Sequence, residues 1–285
     1  MLGSAAGGGV PQWNCGCGNC AAARAGRAPR RTQSCVAVSG DGERWYLVNA
    51  SSDIGAQMDA FPALHPRRER ESRAAGVLLT NGDLDHVLGL TLLREGPRLA
   101  VHATPAVRGS VEASGIGGLL EAFCGVDWRE ASGELEGGLT ATAIALPGAP
   151  PPYDKGSIHS AGQSVAYQIT DHSSGSRLLV APDVAMITPE LFEAMSAADI
   201  VMIDGTFWSG DELQRIREGA RTAEEMGHSP IHGGSLEVLR RLPARYKVYF
   251  HINNTNPILA PDSAERAETE AAGITIGYDG LEFDL

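Results

Sequence analysis

The stretch 79-LTNGDLDHVLGL-90 ends an apolar run, 76-GVLLT-80, in a polar turn and then begins a helical pattern. Short apolar runs rich in branched side chains are typical of buried strands. Side chains placed where a strand gives way to a helix lie outside the edge of a sheet, which is the usual place for a functional site. Asp83, Asp85 and His86 occupy that point. The stretch therefore indicates either a site or a helix start with an aspartate as its N-cap.

A second stretch, 247-KVYFHINNTNPIL-259, places His251 at the end of another expected strand. Taken alone, that histidine is more typical of a structural hydrogen-bonding residue. Together with Asp85 and His86 it gives two imidazoles and one carboxylate at strand ends. This ligand set suits a divalent transition ion, in particular ferrous iron with open positions, and also zinc or manganese.

Two further stretches place polar side chains near the same expected edge. In 226-MGHSPIHGG-234, His228 lies in a loop flanked by glycines and is a candidate general acid or base. In 200-IVMIDGTFW-208, Asp204 ends an apolar strand, where it can bind a metal, hold a metal-binding histidine or cap a helix. We expect Asp204 to support the ligands or the structure rather than to contact the metal.

The pattern of the whole chain predicts an α/β layered fold in which strands and helices are mixed. The regular β-α-β order of a doubly wound sheet is absent, and strands that follow one another in pairs favour antiparallel ladders. We see no internal repeat and no long linker, so we expect one domain over residues 1–285. The expected strands are 35–40, 45–49, 76–80, 99–103, 139–146, 164–170, 178–181, 200–204, 247–252 and 274–279, and the expected helices are 85–95, 105–114, 188–198, 211–220, 234–242 and 261–273.

The composition of the 285 residues is that of an ordinary soluble protein, with 43% hydrophobic and 20% charged residues. A net charge of −12 argues against nucleic acid or an anionic membrane as the main partner. The sequence has neither the run of about 18 apolar residues that a membrane span requires nor the pattern of a secretory signal. We therefore expect a cytoplasmic protein.

Three of the five cysteines crowd into 11-PQWNCGCGNCAAAR-24. In a reducing compartment, such crowding indicates metal binding or redox chemistry rather than a disulfide framework. Cys15, Cys17 and Cys20 have C-x-C-x-x-C spacing and can bind one zinc ion together, while a redox pair is the alternative. Three thiolates favour a closed structural site over an open catalytic one. We expect residues 11–24 to form a structural zinc loop.

These stretches together resemble the metallo-β-lactamase superfamily, whose signature H-x-H-x-D-H aligns with Asn81, Asp83, Asp85 and His86. The resemblance implies an αββα sandwich of two mixed sheets flanked by helices, with the metal site at one edge. Six segments, in the same order along the chain, also resemble the pyrroloquinoline quinone (PQQ) biosynthesis protein B family. They are 2-LGSAAGGGVPQWNCGCGNC-20, 83-DLDHVLGLTLLREG-96, 150-PPPY-153, 203-IDGTFW-208, 227-GHSP-230 and 251-HINNTNPIL-259.

The departures from the signature bear on the reaction. Asn81 and Asp83 stand where the first two histidines of a dinuclear hydrolase help to hold one metal, and an amide is a poor zinc ligand. The resemblance thus implies that the first metal site has lost its histidine ligands. Asp85, His86 and His251 retain the ligands of the second metal site. This argues against two-metal hydrolysis, which needs both ions about 3.5–4 Å apart.

The family resemblance implies a role in PQQ biosynthesis as an iron-dependent oxygenase that hydroxylates the tyrosine of a Glu-Tyr unit from a precursor peptide. Asp85, His86 and His251 would hold Fe²⁺, which Zn²⁺ can replace, and His228 and Asp83 would serve catalysis. The partners would be the Glu-Tyr unit, O2 and other proteins of the pathway. Two other functions stay open: a metal-dependent hydrolase of phosphodiesters or esters, and a soluble carrier that aids transport of PQQ or its precursor.

The resemblance also points to three further positions. Asp183 is a possible additional ligand, because the superfamily often has a metal-bridging aspartate in this region. The third histidine of the superfamily would fall near His159. Some relatives with the cysteine motif take a fourth zinc ligand at the position of Asn254, and the identity of that ligand stays open.

Overall fold

The structure is a computed structural model that describes residues 1–156 and 161–284. Within these ranges twelve strands form two sheets, accompanied by eight α-helices. The strands are β1 Val36–Val38, β2 Trp45–Val48, β3 Ala74–Leu78, β4 Leu99–Ala103, β5 Val126–Glu130, β6 Gly133–Leu135, β7 Leu139–Leu146, β8 Ser164–Asp171, β9 Arg177–Ala181, β10 Ile200–Asp204, β11 Tyr246–Phe250 and β12 Thr275–Ile276. The helices are α1 Gly18–Arg24, α2 Ile54–Asp59, α3 Leu84–Val87, α4 Pro105–Ala113, α5 Ile116–Phe123, α6 Pro189–Ala197, α7 Leu236–Arg241 and α8 Ala264–Ala271.

Both sheets are mixed. The first has the order β1-β2-β3-β4-β5, with β1 antiparallel to β2 and the remaining neighbours parallel. The second has the order β12-β11-β10-β9-β8-β7-β6, parallel from β9 to β12 and antiparallel from β6 to β9. The expectation of antiparallel pairs is therefore correct for only part of the fold, because helices and long connections return the chain to parallel neighbours elsewhere.

Alternation of side chains along the strands builds four layers. Leu78 of β3 and Met202 of β10 belong to one buried cluster between the two sheets. Val77, one residue earlier, points to the opposite face and packs with the helices α4 and α5. Ile203 of β10 likewise packs outward, in the cluster that contains residues of α6 and α7. Because successive side chains of a strand face opposite sides, each sheet is apolar on both faces, and the expected αββα sandwich is confirmed.

Several expected elements differ from the structure. The segment 211–220 forms turns instead of a helix. Its apolar Ile216 is 57% exposed, so the segment buries too little apolar surface to stabilise a helix. The helices α1, α2 and α5 and the strands β5 and β6 were not expected. Only β5 carried a clear signal, since V-D-W-R-E at 126–130 alternates apolar and polar residues.

None of the helices in the described part of the chain has the length and apolar character needed to span a bilayer.

Candidate metal centre

Four strand ends meet at one edge of the sandwich. In the second sheet, Asp183 follows β9, Asp204 ends β10 and His251 follows β11. Since these three strands are parallel neighbours, their carboxyl ends lie side by side. From the first sheet, the turn after β3 leads into α3, which carries Asp85 and His86. The edge thus gathers residues that are more than 160 positions apart in the sequence.

The side chains at this edge approach one another closely. The Nε2 atom of His251 lies 3.3 Å from Oδ2 of Asp85 and 3.8 Å from Oδ1 of Asp183. The Nε2 atom of His86 lies 3.7 Å from the same Asp85 oxygen, and that of His228 lies 3.9 Å from Asp183. Two groups of potential metal ligands result, Asp85 with His86 and His251, and Asp183 with His228 and His251. They share His251.

Asp204 orients two of the three histidines. Its Oδ2 atom accepts a hydrogen bond from Nδ1 of His228 at 2.7 Å, and its Oδ1 atom accepts one from the hydroxyl of Thr206 at 2.6 Å. The oxygen of that hydroxyl in turn accepts a hydrogen bond from Nδ1 of His251 at 2.9 Å. In both imidazoles Nδ1 therefore carries a hydrogen, and Nε2 faces the carboxylates. This arrangement, in which a carboxylate fixes the tautomer of a histidine, is typical of metal ligands.

His86 is oriented by a separate pair of residues. Nδ1 of His86 donates to the hydroxyl of Thr80 at 3.2 Å, and Thr80 is bound to the side chain of Asn49 at 2.9 Å. The His86 side chain is fully buried, and its Nε2 atom has no hydrogen-bond partner among the described residues. A buried polar atom without a partner is costly. A cation between His86, Asp85 and His251 supplies the missing partner, so the residues fit a metal.

The electrostatics of the cluster also fit a cation. Burial, together with the neighbouring carboxylates Asp183 and Asp85, raises the pKa of Asp83 to about 6. Burial lowers the pKa of His251, but Asp183 and Asp85 outweigh it and raise the pKa to about 9. The edge thus holds an excess of negative charge, which a proton on His251 partly compensates. A divalent cation compensates the same charge more fully.

The two residues that replace signature histidines have local roles of their own. The amide of Asn81 donates to Oδ2 of Asp183 at 3.0 Å and accepts from the backbone N–H of Asp83 at 3.0 Å. Asn81 therefore orients a carboxylate where the superfamily has an imidazole. Asp83 occupies the N-cap position of α3, but its side chain makes no capping hydrogen bond.

The three cysteines of the 11–24 loop converge on one residue of the turn that follows His251. The side-chain amide nitrogen of Asn254 lies 3.0 Å from the sulfur of Cys15, 3.6 Å from that of Cys17 and 3.4 Å from that of Cys20. The three sulfurs form a group with the spacing of metal ligands. The oxygen and nitrogen atoms of an amide side chain are told apart only by their hydrogen-bond partners. Exchanging the two atoms in Asn254 points Oδ1, which can bind a metal, at the sulfurs.

The structure thus gathers Asp83, Asp85, His86, Asp183, Asp204, His228 and His251 at one edge and Cys15, Cys17 and Cys20 beside it. Sequence reasoning did not single out Asn49, Thr80 and Thr206, which hold the histidines. Their signal was weak, since each is a single polar residue just after an apolar strand. His159, near which a further histidine of the superfamily was expected, lies outside the described residues.

Comparison with known proteins agrees with this fold. The sequence model of the β-lactamase superfamily domain matches residues 44–252, so the chain belongs to that superfamily. Over its whole length the chain is 43% identical to coenzyme PQQ synthesis protein B of Stutzerimonas stutzeri and 44% identical to that of Cupriavidus necator, covering 99% and 98% of those proteins. The chain is a member of the coenzyme PQQ synthesis protein B family, which confirms the resemblance found in the sequence.

A solved structure supports the same assignment. The crystal structure of Zn²⁺-bound PqqB from Methylobacterium extorquens matches the whole chain and 98% of that protein, with 42% identity and a TM-score of 0.91.

Proposed function

We propose that this protein acts in PQQ biosynthesis as a mononuclear non-heme iron hydroxylase of the tyrosine in a Glu-Tyr unit from the precursor peptide. Membership of the coenzyme PQQ synthesis protein B family supports the pathway. The observation that carries the reaction is the group of Asp85, His86 and His251, with a buried imidazole nitrogen that lacks a partner among the described residues. Two imidazoles and one carboxylate with open positions are the ligands of non-heme iron oxygenases.

A ferrous ion held by Asp85, His86 and His251 would supply the O2 chemistry that hydroxylates a phenol: one oxygen atom would enter the ring, the other would leave as water, and a two-electron reductant such as ascorbate would balance the reaction. The protein residues supply ligands, orientation and protons. Asp204 and Thr206 fix the tautomers of His228 and His251, so both Nε2 atoms face the reacting edge. His228 is placed to donate a hydrogen bond to, or accept a proton from, a phenol bound there. Asp83 is placed to hold a proton, because the carboxyl groups of Asp83, Asp85 and Asp183 lie too close together for all three to ionise readily.

A second function, hydrolysis of a phosphodiester or ester, has one observation in its favour. The ligands fall into two groups that share His251, and the second group contains Asp183 and His228. Two-metal hydrolases clamp both the attacking and the leaving oxygen between paired ions. Against this function, Asn81 and Asp83 replace two histidines that such a pair requires.

Metal stoichiometry and product analysis separate these functions from each other and from a carrier. The protein is reconstituted with Fe²⁺ without oxygen and then given O2, ascorbate as the two-electron reductant, and a Glu-Tyr peptide. The hydroxylase predicts one ion at the edge and a product heavier by one oxygen atom, and both are lost in His251→Ala. The exposed His65 provides the matched control, His65→Ala. A fully loaded protein that gives no hydroxylated product refutes the proposal.

The other outcomes of that experiment are distinct. Two ions per edge, with turnover of a generic phosphodiester in Zn²⁺ or Mn²⁺, indicate the hydrolase. Binding of PQQ that survives His251→Ala, without any turnover, indicates the carrier.

We also propose that Cys15, Cys17 and Cys20 hold a structural Zn²⁺ with Asn254 as the fourth ligand. The convergence of the three sulfurs on the Asn254 side chain supports this. Thiolate ligands need a reducing compartment, and we accordingly place the protein in the cytoplasm.

A further inference from the structure

We infer that the cation of the cysteine loop sets the affinity of the active-site metal, with Asn19 as the positioning residue that connects the two. The inference rests on the metal sites of the proposed function but not on the reaction catalysed. The connecting element is the turn formed by residues 251–256, which begins with the ligand His251 and contains Asn254.

Asn19 lies between Cys17 and Cys20 and joins the cysteine loop to this turn. Its side-chain amide donates to the backbone carbonyl of Asn254 at 3.0 Å and to that of Asn256 at 2.9 Å. The sulfur of Cys17 also contacts the Asn254 carbonyl at 3.4 Å. The loop therefore holds both the side chain and the backbone of the turn.

The backbone of His251 depends on such support. Its φ angle is 55°, a left-handed conformation that costs about 1 kcal/mol or more for a residue other than glycine. On one side, the N–H of Ile252 donates to the carbonyl of Ser4 at 3.0 Å. On the other, the amide of Asn256 donates to the carbonyl of Gly205 at 2.9 Å. Asn19 is the residue of the cysteine loop that bonds two backbone carbonyls of this strained turn, beside the contacts between Asn254 and the sulfurs.

The cysteine loop on its own is a weak support. The helix α1 has only seven residues, and a helix of that length is marginal without further contacts. Trp13 of the same loop is 87% exposed, so the loop gains little from burial there. One cation shared by Cys15, Cys17 and Cys20 ties the start of α1 to the rest of the loop and so fixes the position of Asn19.

The consequence is a coupling between the two metal sites. Residues that orient a metal ligand typically change metal affinity by about 10–100-fold when they are removed. Because coupling between two binding events is reciprocal, an ion at the active-site edge must tighten zinc binding by the cysteines by the same factor.

The test uses the full-length protein with Zn²⁺ in the cysteine loop and Co²⁺ as the probe for the Asp and His ligands. The apparent Kd for Co²⁺ is measured by competition with a chelator for Asn19→Ala and for a matched control, Asn14→Ala. Asn14 belongs to the same loop and is exposed. We expect Asn19→Ala to bind Co²⁺ at least tenfold more weakly than the control and to exchange the amide hydrogens of residues 251–256 faster. Equal Kd values overturn the inference.

A second measurement avoids the risk that Asn19→Ala fails to fold. The unmodified protein is titrated with Mn²⁺, which prefers carboxylate and imidazole ligands and binds thiolates weakly, after the cysteine loop has been filled with Zn²⁺ or stripped of it. Stronger Mn²⁺ binding in the filled state supports the coupling, and identical binding overturns it. If the Asn14→Ala control binds no Co²⁺ at the edge, the proposed function itself has failed.

Discussion

Replacing Asp204 by asparagine is the most direct test of how the active-site edge is organised. Oδ2 of the carboxylate accepts hydrogen bonds from Nδ1 of His228 at 2.7 Å and from the backbone N–H of Val184 at 2.9 Å. Oδ1 accepts from the backbone N–H and the hydroxyl of Thr206 at 2.9 and 2.6 Å. In Asp204→Asn, one of the two oxygens becomes an NH2 group. Either orientation then sets a donor against two other donors.

The expected effect is on metal binding. Asp204 is buried, and although burial raises its pKa, the charge and hydrogen bond of His228, the charge of His251 and the hydrogen bond from Thr206 together hold that pKa below its ordinary value. Asp204→Asn loses the negative charge of the Asp204 carboxylate, so the tautomers of His228 and His251 are no longer fixed. We expect Co²⁺ or Zn²⁺ to bind the edge about 10–100-fold more weakly, which corresponds to about 1.4–2.8 kcal/mol.

The assay is competition with a chelator of known affinity, with circular dichroism and Tm as a separate check of folding. Asp199→Asn is the matched control. Asp199 precedes β10, at the opposite end of the strand from Asp204, and its carboxylate accepts only a backbone N–H among the bonds described, that of Arg177 at 2.8 Å. If folded Asp204→Asn binds metal within twofold of this control, the role assigned to Asp204 is wrong.

Four further substitutions test packing and electrostatics, each by equilibrium unfolding. Burial raises the pKa of Glu212 from 4.5 to about 7, so between these pH values the folded protein holds a proton that the unfolded chain has lost. As the pH rises through that window, the free energy of unfolding therefore falls by roughly 3 kcal/mol. In Glu212→Gln this fall is absent, because the glutamine does not titrate. Gly89→Ala drives a methyl group into the backbone oxygen of Ser51 and destabilises the protein by about 3 kcal/mol or more. By contrast, Gly55→Ala, whose new methyl group meets no described atom within 4 Å, stabilises the helix α2 by up to about 1 kcal/mol. Thr188→Ala removes the hydroxyl that caps α6 and costs about 1 kcal/mol.

Each of these expectations has an outcome that contradicts it. Parallel pH profiles of stability for the unmodified protein and Glu212→Gln mean that Glu212 is not the group that titrates. Equal stability of Gly89→Ala and Gly55→Ala means that the backbone near Ser51 moves at little cost. An unchanged free energy of unfolding for Thr188→Ala means that the start of α6 does not depend on its cap.

The start of the expected helix 188–198 agrees with the structure, because Thr188 and Pro189 interact with near neighbours in the sequence. Thr188 followed by Pro189 begins a helix in the structure as the sequence indicates. The segment 211–220 shows the limit of that reasoning. Its helical pattern is real, but Glu212 turns inward, and its carboxylate accepts from the backbone N–H of Trp208 at 2.8 Å and from the hydroxyl of Thr255. The bond to Thr255, 43 residues away in the sequence, and the exposure of Ile216 together explain why the segment forms turns.

The sequence by itself determined the layered α/β class, most of the strands, the family and the residue types of both candidate metal sites. It did so because apolar periodicity and short motifs such as C-x-C-x-x-C are local. Only the tertiary structure decided that Asp183 and His228 join His251 in one group of ligands, and that Asn49, Thr80 and Thr206 hold the imidazoles. The resemblance pointed to the position of Asn254 as a fourth ligand, and the structure showed its side chain against the three sulfurs. These contacts depend on the register of parallel strands far apart in sequence, and no local pattern records which strand ends will meet.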